Sequence, residues 1–205
     1  MKSATLISLM LLFSVPFHST AGDFDEGVQA YRSGDFTTAM TIWRPLAEQG
    51  YRDSQFGLGL LYDNGDGVAE DDAKAFKWYR KSAEQGYVSA QFNLGVMYDD
   101  GLGVAENDAE AVKWYRKAAE QGDADAQMLL GVMYGVGTGV AENDAEAVKW
   151  FRKAAKQGNA EAQFNLGMMY DTGQGVAENE AEAIKWYRKA AEQGHSGAQV
   201  FLWNK

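Results

Sequence analysis

Cysteine is absent from this 205-residue sequence, and proline and histidine occur only twice each. Without thiols the chain can form neither disulfide bonds nor a thiolate zinc site, so its stability has to come from packing. The histidines are His18 and His195, and Ser196 is the serine next to His195. The sequence therefore offers few residues for nucleophilic catalysis with a histidine base. We predict that His195 is an exposed helix-boundary residue, that no cofactor is bound and that the chain is not an enzyme.

The first 21 residues differ in character from the rest of the sequence. Lys2 precedes an apolar run over residues 6–15, and the small residues Ser19 and Ala21 follow it. This arrangement is typical of a cleavable signal peptide, which predicts a mature chain from Gly22 and a periplasmic or secreted location. The alternative is an uncleaved membrane anchor, although the apolar run is too short to cross a bilayer comfortably. We expect no membrane insertion after cleavage.

Acidic residues dominate the charge balance. The full chain has 19 basic and 29 acidic residues, a net charge of −10. Loss of residues 1–21 would remove Lys2 and no acid, which leaves 18 basic residues and a net charge of −11. Such a surface repels a phosphate backbone and offers no polybasic segment to anionic lipid. We therefore expect a protein or peptide partner and no nucleic acid.

A period of 36 residues organises most of the remaining sequence. Aromatic residues and glycines recur in phase: Tyr62, Tyr98, Tyr134 and Tyr170; Trp78, Trp114, Trp150 and Trp186; Gly50, Gly86, Gly122, Gly158 and Gly194. No insertion disturbs this phase. Units that cannot bury an apolar face alone stack on one another, so the pattern predicts a continuous superhelix.

Each unit has the pattern of two helices. In the second unit, Ala90, Leu94 and Tyr98 recur at i, i+4 and i+8, which predicts one apolar stripe on a first helix. Gly95 lies beside this stripe and would let a neighbouring helix approach closely. Gly101, together with the glycine two residues later, is expected to end this helix.

A second helix follows in every unit. Asn107 and Glu110 have the spacing of a capping box at its start, and Gly122 is expected to end it. Its predicted buried face consists of Ala111, Trp114, Tyr115, Ala118 and Ala119. Asn143 with Glu146 and Asn179 with Glu182 repeat the capping pattern.

Residues 22–52 predict a divergent helix pair ahead of the regular units. Its helices would run from Phe24 to Ser33 and from Phe36 to Gln49. Pro45 lies inside the second of them and should kink or shorten it, because proline lacks a backbone N–H.

The four regular units occupy residues 53–195, and residues 196–205 predict a final capping helix. This helix carries Val200, Phe201 and Trp203, with no further unit to cover them. Those side chains form either the core side of the cap or a homodimer contact.

Three runs of the second unit resemble the Sel1-like repeat, a relative of the tetratricopeptide repeat with a longer loop between its helices. They are AQFNLGVMY at 90–98, GLGV at 101–104 and AVKWYRKAAEQG at 111–122. The resemblance extends over about residues 54–199, and residues 30–36 are more similar to a plain tetratricopeptide unit.

The resemblance implies an all-α, right-handed superhelical solenoid that acts as a scaffold or adaptor. Exported bacterial members of the family are linked to envelope functions or to contact with host cells. One cysteine-rich branch is associated with β-lactam binding or hydrolysis, and this sequence lacks the paired cysteines of that branch. A hydrolase acting on cell-wall sugar or a β-lactam is the competing function.

Similarity to tetratricopeptide repeats also implies a groove lined by first helices. The spacing of Phe92, Val96 and Asp99 agrees, because i, i+4 and i+7 form a stripe distinct from the core stripe. The candidate partner-binding residues are Asp63, with Phe56, Gly57 and Leu60; Phe92, Asn93, Val96 and Asp99, with Asp100; Met128, Leu129 and Val132, with Gly135; and Phe164, Asn165, Met168 and Asp171.

The third unit differs from the others at this groove. Leu129 stands where Asn93 and Asn165 stand in neighbouring units, and Gly135 replaces an aspartate. The centre of the groove should therefore be apolar within a polar rim, the usual anatomy of a protein interface. We expect an extended or helical peptide to bind there. The alternative for the aromatic positions, Phe56, Phe92 and Phe164, is packing between adjacent first helices.

Charged residues elsewhere recur too regularly to suggest a catalytic or metal site. The carboxylate pairs Asp108 and Glu110, Asp144 and Glu146, and Glu180 and Glu182 occupy equivalent positions. This repetition indicates capping, since a glycosidase pair would occur once. Residues 63–67 resemble the start of a calcium loop, but the equivalent residues 135–139 contain no acid, so we predict a helix-ending turn.

Basic residues also recur on the second helices. Lys113, Arg116 and Lys117 lie within helical reach of Glu110 and Glu120. They predict a solvated, partly ion-paired outer face.

Overall fold

The computed structural model describes residues 20–203, which form eleven α-helices with no strand among them. The helices are α1 Thr20–Arg32, α2 Phe36–Glu48, α3 Arg52–Asn64, α4 Asp72–Glu84, α5 Val88–Asp100, α6 Asp108–Glu120, α7 Ala124–Val136, α8 Asp144–Lys156, α9 Ala160–Thr172, α10 Glu180–Glu192 and α11 Ser196–Trp203. The predicted signal segment lies outside the described residues except for Thr20 and Ala21, where α1 begins.

The helices pack in chain order. Each contacts chiefly the helix before it and the helix after it. From α3 onward, odd-numbered helices are the first helices of the units and even-numbered helices are the second. The predicted all-α solenoid is confirmed.

Only one half of the predicted capping box forms. Asn107 Oδ1 accepts a hydrogen bond from the backbone N–H of Glu110 at 3.1 Å. The Glu110 carboxylate does not return to Asn107 but binds Lys113 Nζ at 3.0 Å. The Asn107 N–H donates instead to the carbonyl of Tyr98 at 2.8 Å, because the loop lies against the end of the first helix.

The outer face of the second helix is only partly ion-paired. The pairing of Lys113 with Glu110 is as predicted. Arg116 instead donates to the hydroxyl of Tyr134 in the next unit, and the Lys117 ammonium lies 3.9 Å from the ring centroid of Trp114. These two cations therefore contact aromatic rings where acids were expected.

Glycines let the two helices of a unit come into close contact. A Cβ atom on Gly95 would lie 2.6 Å from the ring of Tyr115, a distance that real Cβ atoms do not reach. The five residues predicted for the buried face of α6 are all buried. Gly101 ends α5 in the left-handed conformation, with φ of 70°, as predicted.

Buried glutamines connect successive units. Gln127 donates to the carbonyl of Ala119 at 2.9 Å and accepts from Gln157 at 2.9 Å. Gln157 also donates to the carbonyl of Gly122. The same pairing recurs as Gln55 with Gln85, Gln91 with Gln121, and Gln163 with Gln193. Since a buried amide without partners is costly, this chain of hydrogen bonds specifies how units stack.

The predicted shortening of α2 at Pro45 is wrong. The helix Phe36–Glu48 has 13 residues, the same length as every other helix from α1 to α10. Pro45 lies in its last turn, and both Pro45 and Thr41, four residues earlier, are exposed. The carbonyl of Thr41, which loses its helical partner, can therefore bond to water.

Two glycines of α7 provide a matched test of this packing. A Cβ on Gly131 would lie 2.6 Å from the ring of Phe151, whereas one on Gly135 would meet only the Cβ of Ala147 at 3.7 Å. Gly131→Ala should lower the free energy of unfolding by about 1–3 kcal/mol through overpacking. Gly135→Ala should leave it unchanged or raise it by up to about 1 kcal/mol. Urea unfolding followed by circular dichroism measures both, and equal effects would contradict this packing.

Candidate functional site

One aliphatic side chain per unit lies at the same position of each first helix. These residues are Leu60, Val96, Val132 and Met168. Leu60 and Val96 are half-buried, while Val132 and Met168 are 36% and 39% exposed. Val136, one turn beyond Val132, is 65% exposed. The exposed apolar surface of the first helices is therefore concentrated in the third and fourth units.

The fourth unit forms a cleft with the final helix. This cleft of about 430 Å³ brings together Phe164, Met168 and Asp171 of α9 with Val200 and Phe201 of α11. Val200 is 59% exposed. Three of the predicted partner-binding residues thus line one cavity, and the exposed apolar surface continues onto α11.

Each phenylalanine of the predicted groove packs against a tyrosine on the second helix of its own unit. The Phe92 ring lies 5.9 Å from that of Tyr115, and Phe56 lies 4.8 Å from Tyr87, just before the next first helix. Phe164 lies 5.6 Å from Tyr187. All three phenylalanines are half-buried. The three rings are packed, but the tyrosines they contact belong to the same unit and not to the next first helix, and Phe164 also lines the cleft.

The predicted rim aspartates are engaged inside their own units. Tyr79 Oη donates to Asp63 at 2.9 Å, and Tyr115 Oη donates to Asp99 at 3.3 Å. Burial, followed by the charge of Asp63, raises the pKa of Tyr79, and a hydrogen bond from Asn93 opposes this rise. These two carboxylates therefore already accept hydrogen bonds from tyrosine hydroxyls of their own units.

The fourth unit also places an aspartate near its tyrosine, and the third unit has neither group. Burial and the nearby charge of Asp171 raise the pKa of Tyr187 to about 12. In the third unit Phe151 has no hydroxyl, and Gly135 stands where the acceptor would be. The sequence shows that the third unit lacks both the tyrosine and the aspartate. The hydrogen bonds in the other units explain why the two are lost together.

The remaining predicted positions contribute more to packing than to open surface. Leu129 is half-buried and packs against the core of the second and third units. Met128 packs against the core of the third and fourth units. Asn165 is half-buried. Gly57 is buried, and a Cβ there would lie 2.6 Å from Trp43, so its place in the groove prediction is wrong.

The first helices of the last three units carry no cation. The helices α5, α7 and α9 contain no lysine, arginine or histidine. Their acids are Asp99, Asp100, Asp125, Glu161 and Asp171. The exposed apolar side chains therefore lie in a negative field, which attracts cationic groups.

His195 is not the exposed residue that the sequence predicts. Its side chain is only 15% exposed. Nδ1 accepts the backbone N–H of Ala198 at 3.2 Å, Nε2 lies 3.0 Å from Glu161, and the ring stacks on Phe164 at 4.4 Å. The side chain is mostly covered because it caps α11 and contacts α9, and Asn159 caps α9 in the same way.

The acidic positions have structural contacts. Glu110, Glu146 and Glu182 each bind a lysine three residues later. Gly65 ends α3 in the left-handed conformation, so the helix-ending turn predicted for residues 63–67 is confirmed. Within residues 20–203, no group of three or more histidine and acidic side chains is arranged to hold a metal ion. No helix over the same residues is long and apolar enough to span a bilayer.

Helix pairs that repeat every 36 residues and pack in chain order define an α-solenoid of the tetratricopeptide-like class. Residues 52–87, 88–123, 124–159 and 160–195 each match the Sel1 repeat. The chain belongs to the Sel1 repeat family, whose members are protein-interaction scaffolds.

Two solved structures are similar over most of this chain. The Sel1 repeat protein from Oxalobacter formigenes is 41% identical, with a TM-score of 0.83, and the match covers 87% of this chain and 74% of that one. A protective antigen present in uropathogenic Escherichia coli strains, displaying an SLR fold, is 44% identical, with a TM-score of 0.85, and the match covers 89% of this chain and 40% of that one.

The curated relatives match over a shorter stretch. An exopolysaccharide production negative regulator from Rhizobium meliloti is 45% identical over 56 residues. That stretch is 27% of this chain and 21% of the relative, so the chain spans only about a fifth of its length.

The hydrogen bond between Tyr115 and Asp99 can be tested by reproducing the third unit in the second. Tyr115→Phe should lower the free energy of unfolding at neutral pH by about 1–2 kcal/mol, because a partly buried carboxylate loses its donor. The double variant Asp99→Gly with Tyr115→Phe should recover part of this loss. A double variant as unstable as the sum of the single variants would contradict the coupling.

The effect of Tyr115→Phe should also depend on pH. Burial raises the pKa of Asp99 in the folded state above its ordinary value of 3.8. Burying the charged carboxylate therefore lowers the free energy of unfolding fully only at a pH above the raised folded-state pKa. Below pH 3.8 this penalty is absent. Loss of the Tyr115 donor increases that cost, so the deficit should be smaller in acid than at pH 7. Urea unfolding at both pH values measures it, and a deficit that grows in acid would refute the assignment.

Proposed function

We propose that this chain is an exported scaffold that binds a polypeptide partner along the exposed face of its first helices. The observation that carries the proposal is the aliphatic surface of Val132, Val136 and Met168, which no part of the described chain covers. Apolar side chains gathered on one face of a repeat array are typical of a binding surface.

The surroundings of this surface indicate what the partner offers. Since α5, α7 and α9 carry acids and no cation, a segment that combines apolar and basic residues has the matching charge. The cleft between α9 and α11 has room for one large apolar side chain, with Asp171 at its edge. A cationic segment with at least one apolar anchor is therefore the best-fitting partner.

The cellular setting is part of the same proposal. The signal-like segment over residues 1–21 supports export to the periplasm or beyond. The similarity to a protective antigen of uropathogenic Escherichia coli and to an exopolysaccharide regulator of Rhizobium meliloti supports a role in the envelope or in host contact. A hydrolytic function is not proposed, because the repeated glutamates bind lysines of their own helices.

Charge insertion into the exposed stripe tests this function. Val132→Asp and Met168→Asp should each weaken partner binding by about tenfold or more, because a carboxylate would replace an apolar contact. Leu102→Asp is the matched control, since Leu102 is 37% exposed but lies in a loop off the first-helix face. Leu129 is unsuitable because its substitution would disturb the core.

Photo-crosslinking in envelope extract identifies the partner for these measurements. A photoreactive residue at position 132 or 168 should trap a protein that the same residue at position 102 does not. Titration of the purified partner then compares the variants by calorimetry. Equal binding by Val132→Asp, Met168→Asp and the control would eliminate the first-helix face. Trapping of a second copy of the chain, confirmed by light scattering, would assign the surface to a homodimer.

A further inference from the structure

A second cleft lies on the opposite side of the first repeat unit, away from the first helices. It has a volume of about 610 Å³ and runs along α4 to the loop of the next unit at Gly103. Its charged lining consists of Lys74, Lys77, Arg80 and Lys81 with the acid Glu84, which forms an ion pair with Arg80 at 2.8 Å. We call it the outer cleft. A concentration of cations is unexpected on a chain with a net charge of −10.

Position 74 distinguishes the outer cleft from its equivalents. The other three units have a glutamate there, and each binds the lysine three residues later at 2.9–3.0 Å. In the first unit Lys74 replaces the glutamate and binds the helix cap Asp71 at 2.8 Å. Lys77, which the glutamate would neutralise, has no ion-pair partner among residues 20–203.

In each of the other units the lysine equivalent to Lys77 is ion-paired. The second unit has a smaller cleft, of about 390 Å³, in which Lys113 is paired with Glu110. The second helix of the third unit also carries four cations, but Glu146 neutralises Lys149 there and Arg152 donates to Tyr170. The lysine at this position therefore lacks an ion-pair partner only in the first unit, at Lys77, among the four units described.

Aromatic rings line the same cleft. Trp78 is partly exposed, whereas its equivalents in the other three units are buried. The Lys81 ammonium lies 4.2 Å from the ring centroid of Trp78. Phe76 packs edge-on against Tyr98 at 5.3 Å and also borders the cleft. The cavity thus combines an apolar floor with cations at its rim.

We propose that the outer cleft binds a carboxylate-rich polypeptide segment. The carboxylates of the segment contact Lys77 and Lys81, and an apolar side chain within it rests on Phe76 and Trp78. This site is separate from the first-helix face and does not depend on the function proposed for that face.

Two observations favour a short acidic peptide over a long polyanion. The excess of cations ends at the next unit, where Asp108, Glu110 and Glu120 balance the three cations of α6. A nucleic acid or an acidic polysaccharide would have to cross that balanced surface on an acidic protein. The apolar floor formed by Phe76 and Trp78 also suits a peptide that carries an apolar side chain, which a polyphosphate or a uronate chain lacks.

The test uses the full-length protein and a labelled peptide of about ten residues, glutamates around a central leucine. Fluorescence anisotropy at low salt should show binding that the glutamine version of the peptide lacks. Lys74→Glu, which restores the residue of the other units, should weaken binding about tenfold. Lys81→Glu should act similarly, while its matched control in the second unit, Lys117→Glu, should change affinity by less than about twofold.

A gain-of-function variant completes the design. Glu110→Lys recreates the charge pattern of the first unit in the second, so a second peptide should bind per chain. These substitutions are at surface positions, and circular dichroism verifies that the fold is kept. Equal losses in Lys81→Glu and Lys117→Glu, or equal binding of the glutamine peptide, would overturn the site. Preferential binding of oligogalacturonate or polyphosphate at the same charge would overturn its assignment to a polypeptide.

Discussion

The structure depends on one contact, in which an aromatic ring of each second helix lies against a glycine of the first. The pairs are Gly59 with Tyr79, Gly95 with Tyr115, Gly131 with Phe151, and Gly167 with Tyr187. A Cβ at any of these glycines would lie 2.4–2.8 Å from the ring. The two helices can approach to this distance only without a side chain, so the contact sets the geometry of each pair. Identical pairs then stack with a constant phase of 36 residues.

This contact also affects the exposed face of the first helices. A tyrosine buried against a glycine still needs an acceptor for its hydroxyl, because an unsatisfied buried donor is costly. Asp63 and Asp99 supply that acceptor from the first helix. Where Phe151 removes the hydroxyl, Gly135 replaces the acid, and Val132 and Val136 are exposed beside it. The apolar centre of the first-helix face therefore follows from the packing of the third unit.

The solenoid also separates charge between its two sides. The cation-free helices α5, α7 and α9 lie on one side, while the second helices carry most of the lysines and arginines. Several of these cations cover tryptophan rings, as Lys153 does at 3.8 Å from the ring centroid of Trp150. The first helices therefore favour cationic groups, while the lysines and arginines of the second helices favour anionic ones.

The sequence by itself determined the period, the helix pairs and most helix ends. These features depend on residues close together in the chain, as in the cap of α6 by Asn107 and the left-handed glycine at 101. The exposure of Val132 and Met168 could also be predicted from the sequence, because helical spacing separates their stripe from the core stripe.

The tertiary structure alone decided the roles of residues whose partners lie in another helix or another unit. Asp99 accepts from a tyrosine 16 residues away, Gln127 pairs with a glutamine 30 residues away, and His195 meets Glu161 across 34 residues. Composition and spacing show that such groups exist, but a hydrogen bond depends on distance and direction in space. Those quantities become defined only when the helices have packed.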